Sequence, residues 1–355
     1  MYRILAINPG STSTKIALFE DENPVFVENI KHSPEEISHF EHYYEQYHFR
    51  ANVIHKVLGE KGVDEKELSA VVGRGGPFKP LESGTYLVNE KMKKDVLEGN
   101  VQAEHISNIG CLLASDIAEP LGIPAYIVDP VSVDEFDDVA RVSGHPEIPR
   151  KSLAHALNVK MVAKKFAKEQ GKKYEDLNLV VAHIGGGITI SSHRKGKMID
   201  VNNANDEGPF SPQRCGTLPI TGLAKLCYSG KYSEKEMKAQ LIKKGGLFAL
   251  LGTDDMLEVK RRMDDGDSEA EFYARAMAYQ IAKSIGAYSA VLDGDVDAIL
   301  ITGGVSYNKW FTDWIEQKVK FIAPVYVFPG EDEMEALVLG VLRVMRGEEE
   351  VKEYT

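Results

Sequence analysis

The sequence predicts an α/β fold of two similar domains with a duplicated βββαβαβα core around a central cleft. Both halves begin with three strand-like runs, and a Gly-rich polar turn joins the first two of each half. Both halves then alternate between helical and strand-like segments. The 355 residues suffice for about two domains of roughly 150 residues each. We place the first domain at residues 1–149 plus a C-terminal helix at 333–355, and the second at 150–332.

In the first half, strands are predicted from apolar runs that are rich in β-branched residues and bounded by turn residues. These runs lie at residues 4–7, 15–20, 25–30, 68–73 and 125–129. Helical periodicity predicts helices at about 34–61, 90–98 and 105–121.

The same signals recur in the second half. Strands are predicted at 179–184, 188–192, 198–201, 298–302 and 325–328, and helices at about 152–170, 268–292 and 332–346. We expect residues 348–355 to form a charged, solvated tail.

Composition excludes several classes of protein. The net charge is −12, with no long basic run, which argues against a protein that binds duplex nucleic acid. No apolar stretch approaches the roughly 18 residues of a membrane-spanning helix, so we expect a cytoplasmic protein without membrane contact. Cys111, Cys215 and Cys227 show no C-x-x-C spacing, which argues against a disulfide framework or a cysteine zinc site.

Three turns together predict a site for phosphate groups. Glycines let the backbone approach a ligand, and free N–H groups and hydroxyls can then bind an anion. Each turn alone is more often merely structural, so the combination carries the argument. The candidate residues are Gly10, Ser11 and Thr12 in the first turn (8–14), His183, Gly185, Gly186 and Gly187 in the second (183–187), and Gly303 and Gly304 in the third (301–305).

Two familiar nucleotide-binding motifs are missing from the sequence. There is no G-x-x-x-x-G-K-[ST] P-loop, and no G-x-G-x-x-G opens a helix after a strand. The sequence therefore argues against a P-loop fold and against a dinucleotide-binding Rossmann domain.

Four segments resemble the signatures of the acetokinase family, in the superfamily of sugar kinases, Hsp70 and actin: residues 8–15, 183–187, 214–217 and 302–308. They occur in order along essentially the whole chain. The resemblance implies an actin-like ATPase, ribonuclease H-like fold. It also implies reversible transfer of the γ-phosphoryl group of ATP to a carboxylate with Mg²⁺, giving an acyl phosphate and ADP, and a homodimer or higher homo-oligomer. Residues 73–80 and 328–336 are most similar to the members that act on butyrate.

The resemblance also implies roles for individual residues. Arg74 and Arg214 match the arginines that grip the carboxylate and the transferring phosphoryl group, which suits their planar, permanently charged forks. No general base is needed, because a carboxylic acid is ionised at pH 7. The remaining matches are His155 to the phosphoryl group, Asn8 to a phosphate or a metal-bound water, His105 to substrate and Asp129 to Mg²⁺.

Two assignments within the resemblance stay open. The second metal carboxylate falls within residues 331–333, where we choose Glu331 but Asp332 or Glu333 would also fit. For the nucleoside, Gly304 and Asn308 match the adenosine motif and Asp255 matches a ribose or adenine contact. Carboxylates near a helix start are also common caps, so Asp255 has a structural alternative.

Two small residues suggest the length of the acyl chain. Gly76 and Ala154 stand where acetate kinases carry valine and phenylalanine, which wall a small pocket. Their absence predicts room for further methylenes, each worth about 0.8 kcal/mol when buried. We therefore expect butyrate or a branched relative such as isobutyrate, and expect Gly76→Val or Ala154→Phe to shift preference toward acetate. The alternatives are an acetate or propionate kinase and, more distantly, a sugar kinase or a nucleotide-gated switch.

Overall fold

The computed structural model describes all 355 residues and contains two compact units. The first comprises Met1–Asp134 and Asp332–Thr355, and the second Glu135–Glu331. The sequence put the first boundary at residue 149. In the structure residues 135–149 belong to the second unit, because the Asp137 N–H donates to the Ile199 carbonyl (3.0 Å) and Glu135 pairs with Lys160 (2.5 Å).

The strands are β1 (Arg3–Pro9), β2 (Ser13–Glu20), β3 (Asn23–Lys31), β4 (Ala70–Arg74), β5 (Thr85–Leu87), β6 (Ala125–Val128), β7 (Asn178–Ile184), β8 (Ile188–Arg194), β9 (Lys197–Val201), β10 (Ala298–Gly303), β11 (Val325–Pro329) and β12 (Lys352–Glu353). The α-helices are α1 (Pro34–Ile37), α2 (Tyr47–Glu60), α3 (Glu90–Leu97), α4 (Gly110–Ala118), α5 (Ala156–Glu169), α6 (Ile220–Cys227), α7 (Glu234–Ile242), α8 (Gly246–Leu251), α9 (Met256–Asp264), α10 (Ser268–Ala290), α11 (Lys309–Val319) and α12 (Glu333–Met345). No helix is long and apolar enough to cross a membrane.

The first unit is built on a seven-stranded sheet in the order β12-β5-β6-β4-β1-β2-β3. Strands β1, β2 and β3 form an antiparallel meander, and β4 and β6 run parallel to β1. The buried apolar side chains of these strands pack against α2, α4 and α12. The first turn therefore joins two central strands whose partners are fixed on both sides.

The second unit repeats this topology. Its five-stranded sheet has the order β11-β10-β7-β8-β9, with β7, β8 and β9 antiparallel and β10 and β11 parallel to β7. The strands β6-β4-β1-β2-β3 of the first sheet correspond, in this order, to β11-β10-β7-β8-β9 of the second sheet. The predicted duplicated α/β core is confirmed.

The prediction of a solvated tail holds for most of residues 348–355, which are exposed, but it is wrong for the anchored end of the chain. Residues 352–353 form β12, parallel to β5, and Tyr354 is only 2% exposed. The Tyr354 hydroxyl donates to Asp95 (3.1 Å), and its ring packs edge-on against Phe78 with centroids 6.2 Å apart. The charged residues of this segment predicted a solvated tail and gave no sign that Tyr354 would be buried. Neither β5 nor β12 is long enough to show the two-residue periodicity of a strand.

The anchored C-terminus leads to a stability prediction. Tyr354→Ala should cost about 3 kcal/mol, because it opens a cavity in the core of the first unit and leaves Asp95 with one donor fewer. Thermal unfolding followed by circular dichroism measures this effect. Tyr228→Ala is the control, because Tyr228 is 93% exposed, and equal melting temperatures for the two variants would contradict the prediction.

Three predicted helices are interrupted or shortened. The helical stretch predicted at 34–61 splits into α1 and α2, with a 3₁₀ turn at Tyr43–Gln46 between them. The helix predicted at 105–121 starts with a 3₁₀ turn at Ile106–Ile109, and α5 starts at Ala156 rather than near 152. The late start of α5 leaves Ala154 and His155 in a loop before the helix.

Candidate active site

The first turn lies between β1 and β2 in the first unit. The Gly10 N–H donates to the Ser13 carbonyl (2.7 Å), which closes the turn, and Ser11 and Thr12 are exposed. The turn is held from within by Arg50 of α2, whose guanidinium donates to the carbonyls of Gly10 (2.8 Å) and Ser13 (2.9 Å). This role of Arg50 could not be predicted from the sequence, because a single arginine in a helical stretch is usually a surface residue.

A carboxylate from the C-terminal helix joins two of the predicted catalytic residues. Glu333 Oε1 lies 2.9 Å from Arg74 Nη2, and Glu333 Oε2 accepts from the Asn8 amide at 2.6 Å. Arg74 is 9% exposed and its Nη1 is buried without a hydrogen-bond partner. The structure thus brings Asn8, Arg74 and Glu333 together, with one guanidinium nitrogen still available.

Asp129 follows β6 in a strained backbone conformation. Its φ is 37°, in the left-handed region that costs a non-glycine residue about 1 kcal/mol or more. The carboxylate is 2% exposed, and Oδ1 accepts from the Ser83 hydroxyl (2.7 Å) and the Gly84 N–H (2.8 Å). These contacts fix the orientation of the Asp129 carboxylate.

His105 precedes the 3₁₀ turn at Ile106–Ile109, and its ring lies within reach of the charge of Arg74. Its Nδ1 accepts from the Ser107 N–H (3.2 Å), which caps the 3₁₀ turn. Burial first, and the charge of Arg74 second, lower the pKa of His105 below its ordinary value of 6.5. The imidazole is therefore neutral at pH 7 and acts as a hydrogen-bonding group rather than a cation.

The space beside Gly76 is already occupied. A Cβ at this position would lie 2.6 Å from the Asn108 backbone nitrogen and even closer to the Asn108 side chain. Asn108 is fully buried, held by the Tyr43 hydroxyl (3.2 Å) and the Ala103 carbonyl (3.0 Å). The expectation that the missing side chain opens a pocket here is therefore corrected. Gly76→Val would displace Asn108 rather than fill free space.

In the second unit, two histidines stack at the second turn. The rings of His155 and His183 are 4.1 Å apart and nearly parallel, at 11°. The Asn158 amide donates to the Glu331 carbonyl (2.9 Å), so its oxygen faces His183 Nδ1 at 2.7 Å and that nitrogen carries the proton. His155 Nδ1 lies 2.8 Å from the Thr189 hydroxyl.

Glu331 lies at this histidine pair. Its Oε1 is 3.6 Å from His183 Nε2, and it would be 3.2 Å from a Cβ on Gly185. Glu331 belongs to the second unit, whereas Asp129 and Glu333 belong to the first. The contacts of Glu333 identify it as the acidic residue of segment 331–333 that meets Asn8 and Arg74.

Gly187 is required by the approach of Arg214. A Cβ on Gly187 would lie 2.7 Å from the Arg214 Cζ, so any side chain would displace the guanidinium. Arg214 Nη1 donates to the Ala204 carbonyl (3.0 Å), while Nε is buried without a partner. Burial lowers the pKa of Arg214, although a guanidinium remains charged at neutral pH.

Ser211 ties Arg214 to the second turn, and the sequence analysis did not single it out. Its hydroxyl donates to the Gly186 carbonyl (2.5 Å) and accepts from the Arg214 N–H (3.0 Å). A serine before a proline is common in loops, so the sequence does not predict that Ser211 would connect Arg214 to the second turn.

The third turn lies beside the second, because Thr302 pairs with His183 in the sheet. Gly303 has φ 93° and would place a Cβ 2.7 Å from the Ile184 carbonyl carbon, so this glycine is structural. Gly304 has open space at its α-carbon, and the Asn308 amide donates to the Val305 carbonyl (3.0 Å). Asp255 caps α9 by accepting from the Leu257 N–H (2.9 Å), so the capping role considered as an alternative to a nucleoside contact is present.

Comparisons with known proteins agree with this architecture. The acetokinase family model matches residues 147–321. The chain is 54% identical over 354 residues to "Butyrate kinase 2" of Clostridium acetobutylicum, covering 99% of both chains. It is 51% identical over 355 residues to "Butyrate kinase 1" of the same organism, covering 100% of both.

Solved structures share the fold at lower identity. An acetate kinase of Porphyromonas gingivalis has a TM-score of 0.79 at 19% identity, covering 96% of this chain and 99% of that one. A propionate kinase of Francisella tularensis has a TM-score of 0.73 at 19% identity, covering 95% and 98%. With two full-length relatives above 50% identity, the chain belongs to the acetokinase family.

Proposed function

We propose that this chain is an ATP-dependent butyrate kinase, which makes butyryl phosphate and ADP reversibly. The observation that carries the proposal is the identity of more than half of the chain, over its full length, to two proteins named butyrate kinase. A butyrate oxygen bonds to the γ-phosphorus as the bond to the ADP oxygen breaks. Atoms and charge balance without a proton transfer, so the chemistry needs charge neutralisation and alignment rather than a base.

The contacts of the two arginines support their proposed roles. We assign Arg74 to the carboxylate of the acid and Arg214 to the transferring phosphoryl group, with His155 as a further donor. Each arginine is held by the protein on one side and keeps a buried nitrogen without a protein partner. Buried guanidinium donors of this kind bind anions strongly, because little solvent competes with the ligand.

We assign the nucleotide phosphates to the first and second turns, with Gly304 and Asn308 near the nucleoside. Mg²⁺ bound with the nucleotide would neutralise part of the charge on its phosphates. Asp129 and Glu333 fit such an ion, because Mg²⁺ takes few protein carboxylates and keeps waters and phosphate oxygens as its other ligands.

The test is trapping of the acyl phosphate with hydroxylamine. Purified protein is incubated with MgATP and formate, acetate, propionate, butyrate or isobutyrate, and the hydroxamate is measured. A maximum at four carbons supports the proposal. A maximum at acetate or propionate keeps the carboxylate kinase and rejects butyrate, and sugar phosphorylation without trapping rejects the carboxylate kinase.

Ala154→Phe tests the acyl pocket at the second of the two small residues. Ala154 is 5% exposed and immediately precedes His155. Phenylalanine should reduce the ratio of kcat/KM for butyrate over acetate by about tenfold, the equivalent of two lost methylene contacts. Steady-state kinetics with both acids measures the ratio, and equal losses for the two acids would show that Ala154 does not shape the pocket.

We also propose a homodimer, supported by the exposed apolar helix α6. No residue of α6 is fully buried, Ile220 is 80% exposed, and Tyr228 just beyond the helix is 93% exposed. Exposed apolar patches of this kind are typical of protein contacts. Light scattering coupled to size exclusion should give twice the chain mass of 39.3 kDa, and a monomer would contradict the proposal.

A further inference from the structure

Arg50 is a fully buried cation beneath the first turn. Its Nη1 donates to the Gly10 and Ser13 carbonyls, at 2.8 and 2.9 Å, and to the Thr14 hydroxyl at 2.9 Å. Its Nη2 donates to the Ser11 carbonyl (3.2 Å) and to the Gln46 side-chain oxygen (2.9 Å), which also accepts from Nε (3.2 Å). Every one of these acceptors is neutral.

The charge of Arg50 therefore has no carboxylate partner in the protein. Two other cations that are largely buried do have one: Lys160 pairs with Glu135 (2.5 Å), and Arg150 pairs with Asp200 (2.9 Å). Burial lowers the pKa of Arg50 to about 10, so the group is still charged at neutral pH. An unpaired buried charge is costly, and such groups are normally paired.

The contacts of Arg50 also orient the peptide groups of the turn. All peptide bonds are trans, so the C=O of one residue and the N–H of the next point in opposite directions. Because the Gly10 and Ser11 carbonyls face Arg50, the N–H groups of Ser11 and Thr12 face the other side. Both residues are exposed, and neither N–H donates to a protein group. The outer face of the turn thus presents aligned donors above a buried positive charge, which is an arrangement that binds anions.

We propose that Arg50 is a positioning residue whose buried charge is balanced by the nucleotide phosphates bound on the outer face of the first turn. Arg50 acts through the turn and does not touch the nucleotide. The inference rests on the proposed function, because it takes ATP as the anionic ligand.

The test compares three substitutions in the full chain. Arg50→Met removes the charge and the donors, Arg50→Gln removes the charge but keeps amide donors, and Arg50→Lys keeps a charge. We expect both neutral variants to weaken binding of MgATP and of inorganic tripolyphosphate, measured by titration calorimetry, by about tenfold or more. Arg50→Lys should recover most of the affinity, and the KM for butyrate should stay within about threefold in all three. If Arg50→Met does not fold, Arg50→Gln tests the same expectation.

Gln46→Leu is the matched control, because it removes the other partner of the guanidinium without changing charge or touching the turn. Its affinity for tripolyphosphate should stay close to that of the wild type. Neutral Arg50 variants that bind both ligands as tightly as the wild type would overturn the inference, as would a parallel rise in the KM for butyrate or a wild type that binds neither ligand. Absence of acyl phosphate with intact tripolyphosphate binding would instead reject the proposed function.

Discussion

Replacement of Arg214 by alanine is expected to lower kcat for butyryl phosphate formation by about 10³-fold, the equivalent of about 4 kcal/mol of transition-state stabilisation. Arg214 is fixed by the Ala204 carbonyl and by the Ser211 bridge, so its free edge is already oriented. A donor that needs no reorganisation stabilises developing charge most effectively.

Lysine is expected to be a poor replacement at this position. The guanidinium lies against Gly187, and an ammonium carries all its donors on one nitrogen, so it cannot take the places of both Nη1 and Nε. We expect Arg214→Lys to lose about 10²-fold or more in kcat, with a smaller change in the KM for either substrate.

Arg194→Lys is the control for a general effect on the second unit. Arg194 is 40% exposed in its side chain and pairs with Asp137 (2.9 Å), so its replacement should change kcat little. Steady-state kinetics with MgATP and butyrate measures all three variants. Equal losses in Arg214→Lys and Arg194→Lys would argue against a role of Arg214 in the phosphoryl transfer.

The fold was predictable from the sequence where local patterns are strong. The β1–β2 and β7–β8 hairpins were predicted because each joins β-branched runs through a Gly-rich turn. Strands β5 and β12 were not, because two or three residues carry no period and their pairing depends on the burial of Tyr354. The interruption before α2 also left no clear signal, because the apolar periodicity continues across residues 38–46.

The candidate site was predictable only as motifs. The motif residues, such as Arg74, Arg214 and His183, stay predictions, and the side chains that contact them come from distant segments. Asn8 and Glu333 are 325 residues apart in sequence. The contact of Arg50 with the first turn could not be predicted from the sequence, because it depends on how α2 packs beneath that turn. The Gly76 argument failed for the same reason, because Asn108 fills that space from another segment.

Replacement of Glu333 by glutamine is expected to lower kcat by about 10²-fold, whereas Glu331→Gln should cost less than about tenfold. Both contacts of Glu333 come from donors, the Asn8 amide and the Arg74 guanidinium. A glutamine amide has one oxygen and one NH₂ group, so it would turn a donor toward one of these partners and leave Arg74 without its charge partner.

Three variants separate the charge of Glu333 from its geometry. Glu333→Asp keeps the charge on a shorter side chain and should recover part of the activity lost in Glu333→Gln. Glu331→Gln is the matched control two residues earlier, where the carboxylate faces His183 instead of Arg74. The measurements are kcat, the KM for butyrate and the dependence of the rate on Mg²⁺ concentration. If Glu331→Gln is the more damaging of the two glutamine variants, Glu331 is the metal carboxylate of segment 331–333, and the contact of Glu333 with Arg74 is structural only.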